Sequence, residues 1–160
     1  KRAGYDFMKN AAADSVRYIE ARFAPLLSVQ NGLSVERIIE SVLQGMEQGK
    51  SEFGIDYGVI VCAMRHEKEA ENLKMLKAAR EFLGNGVCAA DLAGNEAAFP
   101  MSQFLDLFAE VKRLEMPFTI HAGELGMELH FEDKKRQFRS AETERSGSRC
   151  VRLAICRQKQ

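Results

Sequence analysis

Three continuous apolar runs of strand length, DYGVIVCAM (56–64), GVCAADL (86–92) and PFTIH (117–121), start about 30 residues apart. That interval is the size of one strand–helix–strand unit. A run with no polar alternation is buried on both faces, which suits a parallel sheet. An earlier stretch, RYIEARF (17–23), alternates and runs into Ala24-Pro25, so it reads as a strand stopped by proline.

Helical patterns fill the intervals. In residues 34–53, Val35, Ile38, Ile39, Val42, Leu43 and Met46 recur at spacings of three and four, with Ser34 placed to cap the first turn. Residues 67–83 line up Ala70, Leu73, Leu76, Ala79 and Leu83 before a stop at Gly84. Residues 101–115 do the same with Phe104, Leu107, Phe108, Val111 and Leu114. Four strands alternating with helices define an α/β fold with a parallel sheet. Four such units make half of an eightfold barrel or most of a doubly wound sheet, and periodicity does not separate the two.

The polar residues favour the barrel. Arg65 and His66 follow the second strand, Asp91, Asn95 and Glu96 end or follow the third, and His121 and Glu124 end or follow the fourth. Ionisable groups at several carboxyl-terminal strand ends build the active face of a (β/α)8 barrel. A doubly wound sheet also binds at that edge, but usually through a glycine-rich phosphate turn. Neither GxGxxG nor GxxxxGK[ST] occurs.

Composition sets the outer bounds. A formal net charge of zero gives no overall pull toward nucleic acid or an anionic membrane, and no apolar run has membrane-spanning length. Neither kind of partner is expected. Cys62, Cys88, Cys150 and Cys156 form no CxxC pair, which favours reduced thiols and a cytoplasmic setting. The balance is uneven along the chain. Residues 127–160 carry nine Lys/Arg against five Asp/Glu, whereas residues 1–126 carry 14 against 18. The chain accordingly divides into a partial barrel over 1–126 and a basic segment over 127–160. That segment lacks a clean helical stripe, as a shifted reading frame or a divergent, partly disordered tail would.

Two chemistries fit His121 and Glu124. A histidine on a rigid strand end offers one ring nitrogen to zinc, and an acid three residues on moves protons over the same mouth. The other reading, and the commoner one for a lone His-x-x-Glu, is a hydrogen-bonded structural pair. Gly94 reads either as a turn glycine or as a point of close backbone approach. Met64, Arg65 and His66 read either as pocket residues or as an ordinary helix approach.

Four stretches, in order, carry a resemblance to a known family: YIEARFAP (18–25), VIVCAMRH (59–66), VCAADLAGNE (87–96) and FTIHAGE (118–124). Together they resemble the adenosine deaminase family of zinc-dependent, amidohydrolase-type barrels, over about residues 1–126. The resemblance implies that the chain supplies strands two to five of an eight-stranded barrel. It also implies hydrolysis of adenosine or deoxyadenosine, a small-molecule purine nucleoside, to inosine or deoxyinosine and ammonia. By that resemblance His121 is a zinc ligand, and Glu124 protonates the purine ring while water activated by the zinc attacks C6. Gly94 contacts the purine through its backbone, Met64 lines the pocket, and Arg65 and His66 hold strand ends together. The MRH ending is more similar to adenosine deaminases than to adenine or AMP deaminases.

The family's other groups are an upstream His-x-His, a later His-Gly pair and an Asp-Asp pair. None is recognisable in the sequence, and His130 lies too close to His121 to be the next strand end. The expectation is an isolated chain that is inactive and holds zinc weakly. The competing expectations are a deaminase of adenine or an N6-modified adenine nucleotide, and a noncatalytic barrel-derived binding protein.

Overall fold

A computed structural model describes residues 1–30, 32–122 and 152–155; for 121, 122 and 152–155 it describes the backbone. Helix α1 (Arg2–Ala13) precedes β1 (Tyr18–Phe23), and a short 3-10 turn over Pro25–Ser28 leads to α2 (Val35–Phe53). Then follow β2 (Asp56–Met64), α3 (Glu69–Arg80), β3 (Val87–Ala93), a 3-10 turn over Met101–Phe104, α4 (Leu105–Arg113) and β4 (Phe118–Ala122). Residues Arg152–Ile155, inside the basic segment, form β5.

The local chemistry explains the boundaries. The Ser34 side chain accepts a hydrogen bond from the Arg37 amide at 3.3 Å and so caps α2. Gly54, at φ 68°, closes the other end in the left-handed conformation that glycine adopts without strain. Helix α1 has no long apolar stripe. It buries Gly4, Met8 and Ala11 against α2, where Gly49 lets the backbones approach. A Cβ at position 49 would sit 2.3 Å from the Met8 Cβ.

All strand pairs are parallel and the order is β1-β2-β3-β4-β5, identical to the chain order. A doubly wound sheet reverses direction at a switch point, and this one does not. Its two faces also differ. Val59, Val61, Ala63, Leu92 and Ile120 belong to one core with Ile39, Met46, Leu76 and Leu107 from the helices. Alternate residues point the other way, and Ile60, Cys62 and Asp91 lie on that second, buried face outside the helix-packed core. A parallel sheet wound in one direction, with its helices on one face, is a segment of a (β/α)8 barrel.

Two helices differ from the sequence reading. In α3 the buried residues are Asn72, Met75, Leu76 and Ala79, while Ala70 is exposed and Leu73 and Leu83 are half-buried. The stripe assumed that apolar residues alone face the core, and Asn72 breaks that assumption. The stretch 101–115 divides into a 3-10 turn and a shorter α-helix.

Candidate active site

Register places the expected residues on one line. Ala63 pairs with Leu92, and Leu92 with Ile120. One step further along, Met64 pairs with Ala93, and His121 follows Ile120. Met64, Ala93 and His121 are therefore level at the carboxyl edge, with Met64 and His121 about 10 Å apart at ordinary strand spacing. Gly94 sits just above that row. Glu124 lies outside the described residues.

Each strand end is held by a specific contact. Asn72, fully buried in α3, receives the Met64 amide hydrogen on Oδ1 and donates from Nδ2 to the Met64 carbonyl, both at 2.9 Å. Its side chain satisfies the terminal peptide groups of β2, as another strand would. The Arg65 amide donates to the Ala93 carbonyl at 2.9 Å, tying β2 to the end of β3. Gly94 takes φ 114°, a value side chains other than glycine's rarely adopt, and a Cβ there would meet Arg65 at 3.4 Å. In the next turn Asn95 Oδ1 accepts from the amides of Ala97 and Ala98 at 3.0 Å. Of the two residues expected to hold strand ends together, Arg65 does so. His66 is exposed and, among the described residues, meets its neighbour Glu67 at 3.9 Å.

A polar cluster lies beneath the row on the second face. Asp91, fully buried, pairs with Arg22 from β1 (Nε to Oδ2, 3.5 Å) and accepts from the Cys62 thiol at 3.7 Å. Three strands are thus joined side chain to side chain. Burial, reinforced by the nearby Asp91 carboxylate, pushes the Cys62 thiol up to about 12. At neutral pH it is a protonated hydrogen-bond donor, unsuited to nucleophilic work. Arg22 and Asn72 are the contributors the sequence reading missed. The alternation of RYIEARF marks Arg22 as facing one side with Glu20, but nothing in a helical stripe flags a buried asparagine.

The raised thiol has a measurable consequence. In the unfolded chain Cys62 ionises near its ordinary value of 9.0, whereas in the fold it stays protonated to about 12. Tyr57 acts in the same direction, raised from 10.0 to about 12 by burial and its hydrogen bond to Glu47. Folded-state pKa values above the unfolded ones contribute stability that is complete below about pH 9 and lost as pH rises toward 12. Urea titrations at pH 8, 10 and 11 are expected to show a falling midpoint, with a shallower fall in Cys62→Ala. A midpoint that is flat above pH 9 would contradict the burial of both groups.

A groove of about 520 Å3, lined by Tyr57, Gly58, Gly86 and Cys88 among others, lies at the opposite, amino-terminal edge. In a barrel that edge serves stability, not chemistry. Among the described residues no three His, Cys, Asp or Glu side chains come together to hold a metal ion. His121 has the right chemistry for one ligand.

A strand-edge row of this kind on a singly wound parallel sheet defines a (β/α)8-barrel segment with candidate site residues at its carboxyl edge. The family model described as adenosine deaminase matches residues 1–135, and the chain belongs to the adenosine deaminase family. It is 42% identical over 124 residues to the adenosine deaminase of Enterococcus faecalis, covering 78% of this chain and 37% of that protein. With the adenosine deaminase of Clostridium botulinum the identity is 38% over 127 residues, covering 79% and 38%. The chain thus spans little more than a third of the length of these relatives. Among solved structures it resembles a zinc-bound amidohydrolase from Burkholderia ambifaria (TM-score 0.73, 24% identity, 79% of this chain and 35% of that one). It also resembles the N6-mAMP deaminase MAPDA of Arabidopsis (TM-score 0.73, 22% identity, 97% and 51%). These two likenesses establish the fold alone. No helix among the described residues is long and apolar enough to cross a membrane.

Proposed function

We propose that this chain is the strand-two-to-five segment of a zinc-dependent hydrolytic deaminase that converts adenosine or deoxyadenosine to inosine or deoxyinosine and ammonia. The observation that carries this reading is the placement of Met64, Ala93–Gly94 and His121 at one carboxyl edge, in a chain of the adenosine deaminase family. Curated-family identity near 40% supports the adenosine preference.

The roles follow from residue chemistry. Gly94, lacking a side chain, lets the purine approach the backbone. Met64 supplies a polarizable apolar wall for a flat ring. Glu124 holds a proton for the ring nitrogen, so that charge does not build on the purine as water adds at C6. His121 offers an imidazole nitrogen to the metal. When bound, zinc lowers the pKa of water and so makes a nucleophile at neutral pH. The remaining ligands come from outside the four strand ends, and deamination requires them. We keep residues 1–126 as the barrel segment and 127–160 as a compositionally separate unit, within which β5 pairs with β4.

The test is a deamination assay followed by loss of adenosine absorbance, with zinc measured in the same samples. The isolated chain is expected to yield no inosine and less than stoichiometric zinc. The same segment within a complete barrel is expected to be active on adenosine and deoxyadenosine. Stoichiometric zinc with inosine production by the isolated chain would overturn the incomplete-site reading. A second reading, deamination of adenine or an N6-modified adenine nucleotide, draws on the fold likeness to an adenine deaminase from Arthrobacter aurescens and to MAPDA. A complete barrel that prefers those substrates to adenosine would establish it.

A further inference from the structure

We infer that Arg65 is a positioning residue that holds the loop between β3 and α4 at both ends, and so fixes where the Gly94 backbone meets the substrate. The substrate half of this inference rests on the purine-deaminase reading above; the loop half rests on geometry alone.

Four contacts converge on this one residue, two at its backbone end and two at its guanidinium. At the start of the loop, the Arg65 amide donates to the Ala93 carbonyl at 2.9 Å, and Gly94 packs where a Cβ would lie 3.4 Å from both the Arg65 Cβ and its nitrogen. At the far end, Arg65 Nη1 donates to the Phe99 carbonyl at 2.9 Å, and the guanidinium lies 5.7 Å from the centre of the Phe104 ring. Arg65 is only 2% exposed, so these contacts act out of water, where charge-assisted hydrogen bonds and cation–π contacts are strongest. The loop spans eleven residues, from Gly94 to Phe104, and its own Asn95 turn organises only its first half. In the second half the guanidinium adds a directed hydrogen bond to the apolar packing of Phe99, Met101 and Phe104 on the core that holds β2.

A planar guanidinium is what this place requires. It donates a hydrogen bond to the Phe99 carbonyl while its carbon lies over the Phe104 ring; a lysine ammonium also attracts the ring, but as a point charge without the fixed planar fork that serves both at once. This distinguishes Arg65 from its neighbour His66, which is exposed and, among the described residues, pairs with the adjacent Glu67.

The test compares Arg65→Met and Arg65→Lys with the unsubstituted chain by hydrogen–deuterium exchange resolved over residues 94–104 and over β2 and β3. Inosine affinity is measured by calorimetry on the same substitutions carried in a complete barrel. Inosine, as the product of the proposed reaction, binds without turnover. Arg65→Met is expected to speed exchange in 94–104 by about tenfold or more, the factor that loss of a buried charged hydrogen bond corresponds to. Exchange in β2 and β3 stays within twofold. Arg65→Lys is expected to recover part of the loop protection and part of any affinity lost. Loop exchange unchanged in Arg65→Met overturns the inference. So does an equal rise across both strands, which would make Arg65 a general stability element. If the unsubstituted protein, assembled as a complete barrel, has no inosine affinity, the purine reading fails. The exchange data still decide the role of Arg65.

Discussion

Glu124→Gln is expected to lower adenosine turnover by about 10³-fold in a complete barrel carrying this segment, with little change in KM. Glutamine keeps the shape and the hydrogen-bonding reach of glutamate but has no proton to give at neutral pH. General acid catalysis by a positioned side chain contributes roughly 10²- to 10⁴-fold, and this substitution removes that contribution while leaving substrate contacts in place. His121 is untouched, so zinc content stays at the unsubstituted level. The metal measurement therefore separates a lost proton donor from a collapsed site. A fall of less than tenfold would mean that another group protonates the purine.

Asn72→Leu is expected to destabilise the fold by about 2 kcal/mol, read as a lowered urea midpoint with an unchanged slope. Leucine matches the shape of asparagine, so the loss is polar and leaves no cavity to account for it. Two backbone groups of Met64, an amide hydrogen and a carbonyl, lose their 2.9 Å partners in the interior. Leaving a buried donor unsatisfied costs about 1–3 kcal/mol; the carbonyl keeps a hydrogen bond from the Glu67 amide at 3.0 Å, so the stranded amide hydrogen sets the scale. A loss below about 1 kcal/mol would show that water replaces the asparagine amide at that strand end.

The sequence carries some of this architecture openly and hides the rest. The 30-residue spacing of DYGVIVCAM, GVCAADL and PFTIH specifies strands and a parallel sheet, because apolar runs of that length have few alternatives. Strand order is different. A run such as VIVCAM is equally apolar in a sheet wound in one direction or in two, so only the pairing of Ala63 with Leu92 and of Leu92 with Ile120 separates barrel from doubly wound sheet. Helix α1 escaped notice because its buried face is Gly4, Met8 and Ala11. Two of those three have almost no hydropathy to betray them, and they dock through glycine on α2. Asn72 escaped because amphipathic reasoning discards polar residues at the step where it should have been kept.

The candidate site shows the same division. His121, Gly94 and Met64 were legible as strand ends followed by small or ionisable residues. Their common level across three strands was not, since it depends on register. The turn from Gly94 to Phe104 and its anchorage on Arg65 depend on contacts up to 39 positions apart in the chain, a distance at which no local pattern survives.

Because the strands are arranged in chain order, each one docks against a partner made about 30 residues earlier. Loop closure over so short a stretch costs little entropy, and few contacts wait for a distant part of the chain. Such a sheet is suited to growing one strand at a time as the polypeptide leaves the ribosome, with each helix covering its strand before the next emerges. The outer face of the barrel wall can therefore mature during synthesis. The second face gains its cluster of Arg22, Cys62 and Asp91 stepwise, one side chain with each of the first three strands.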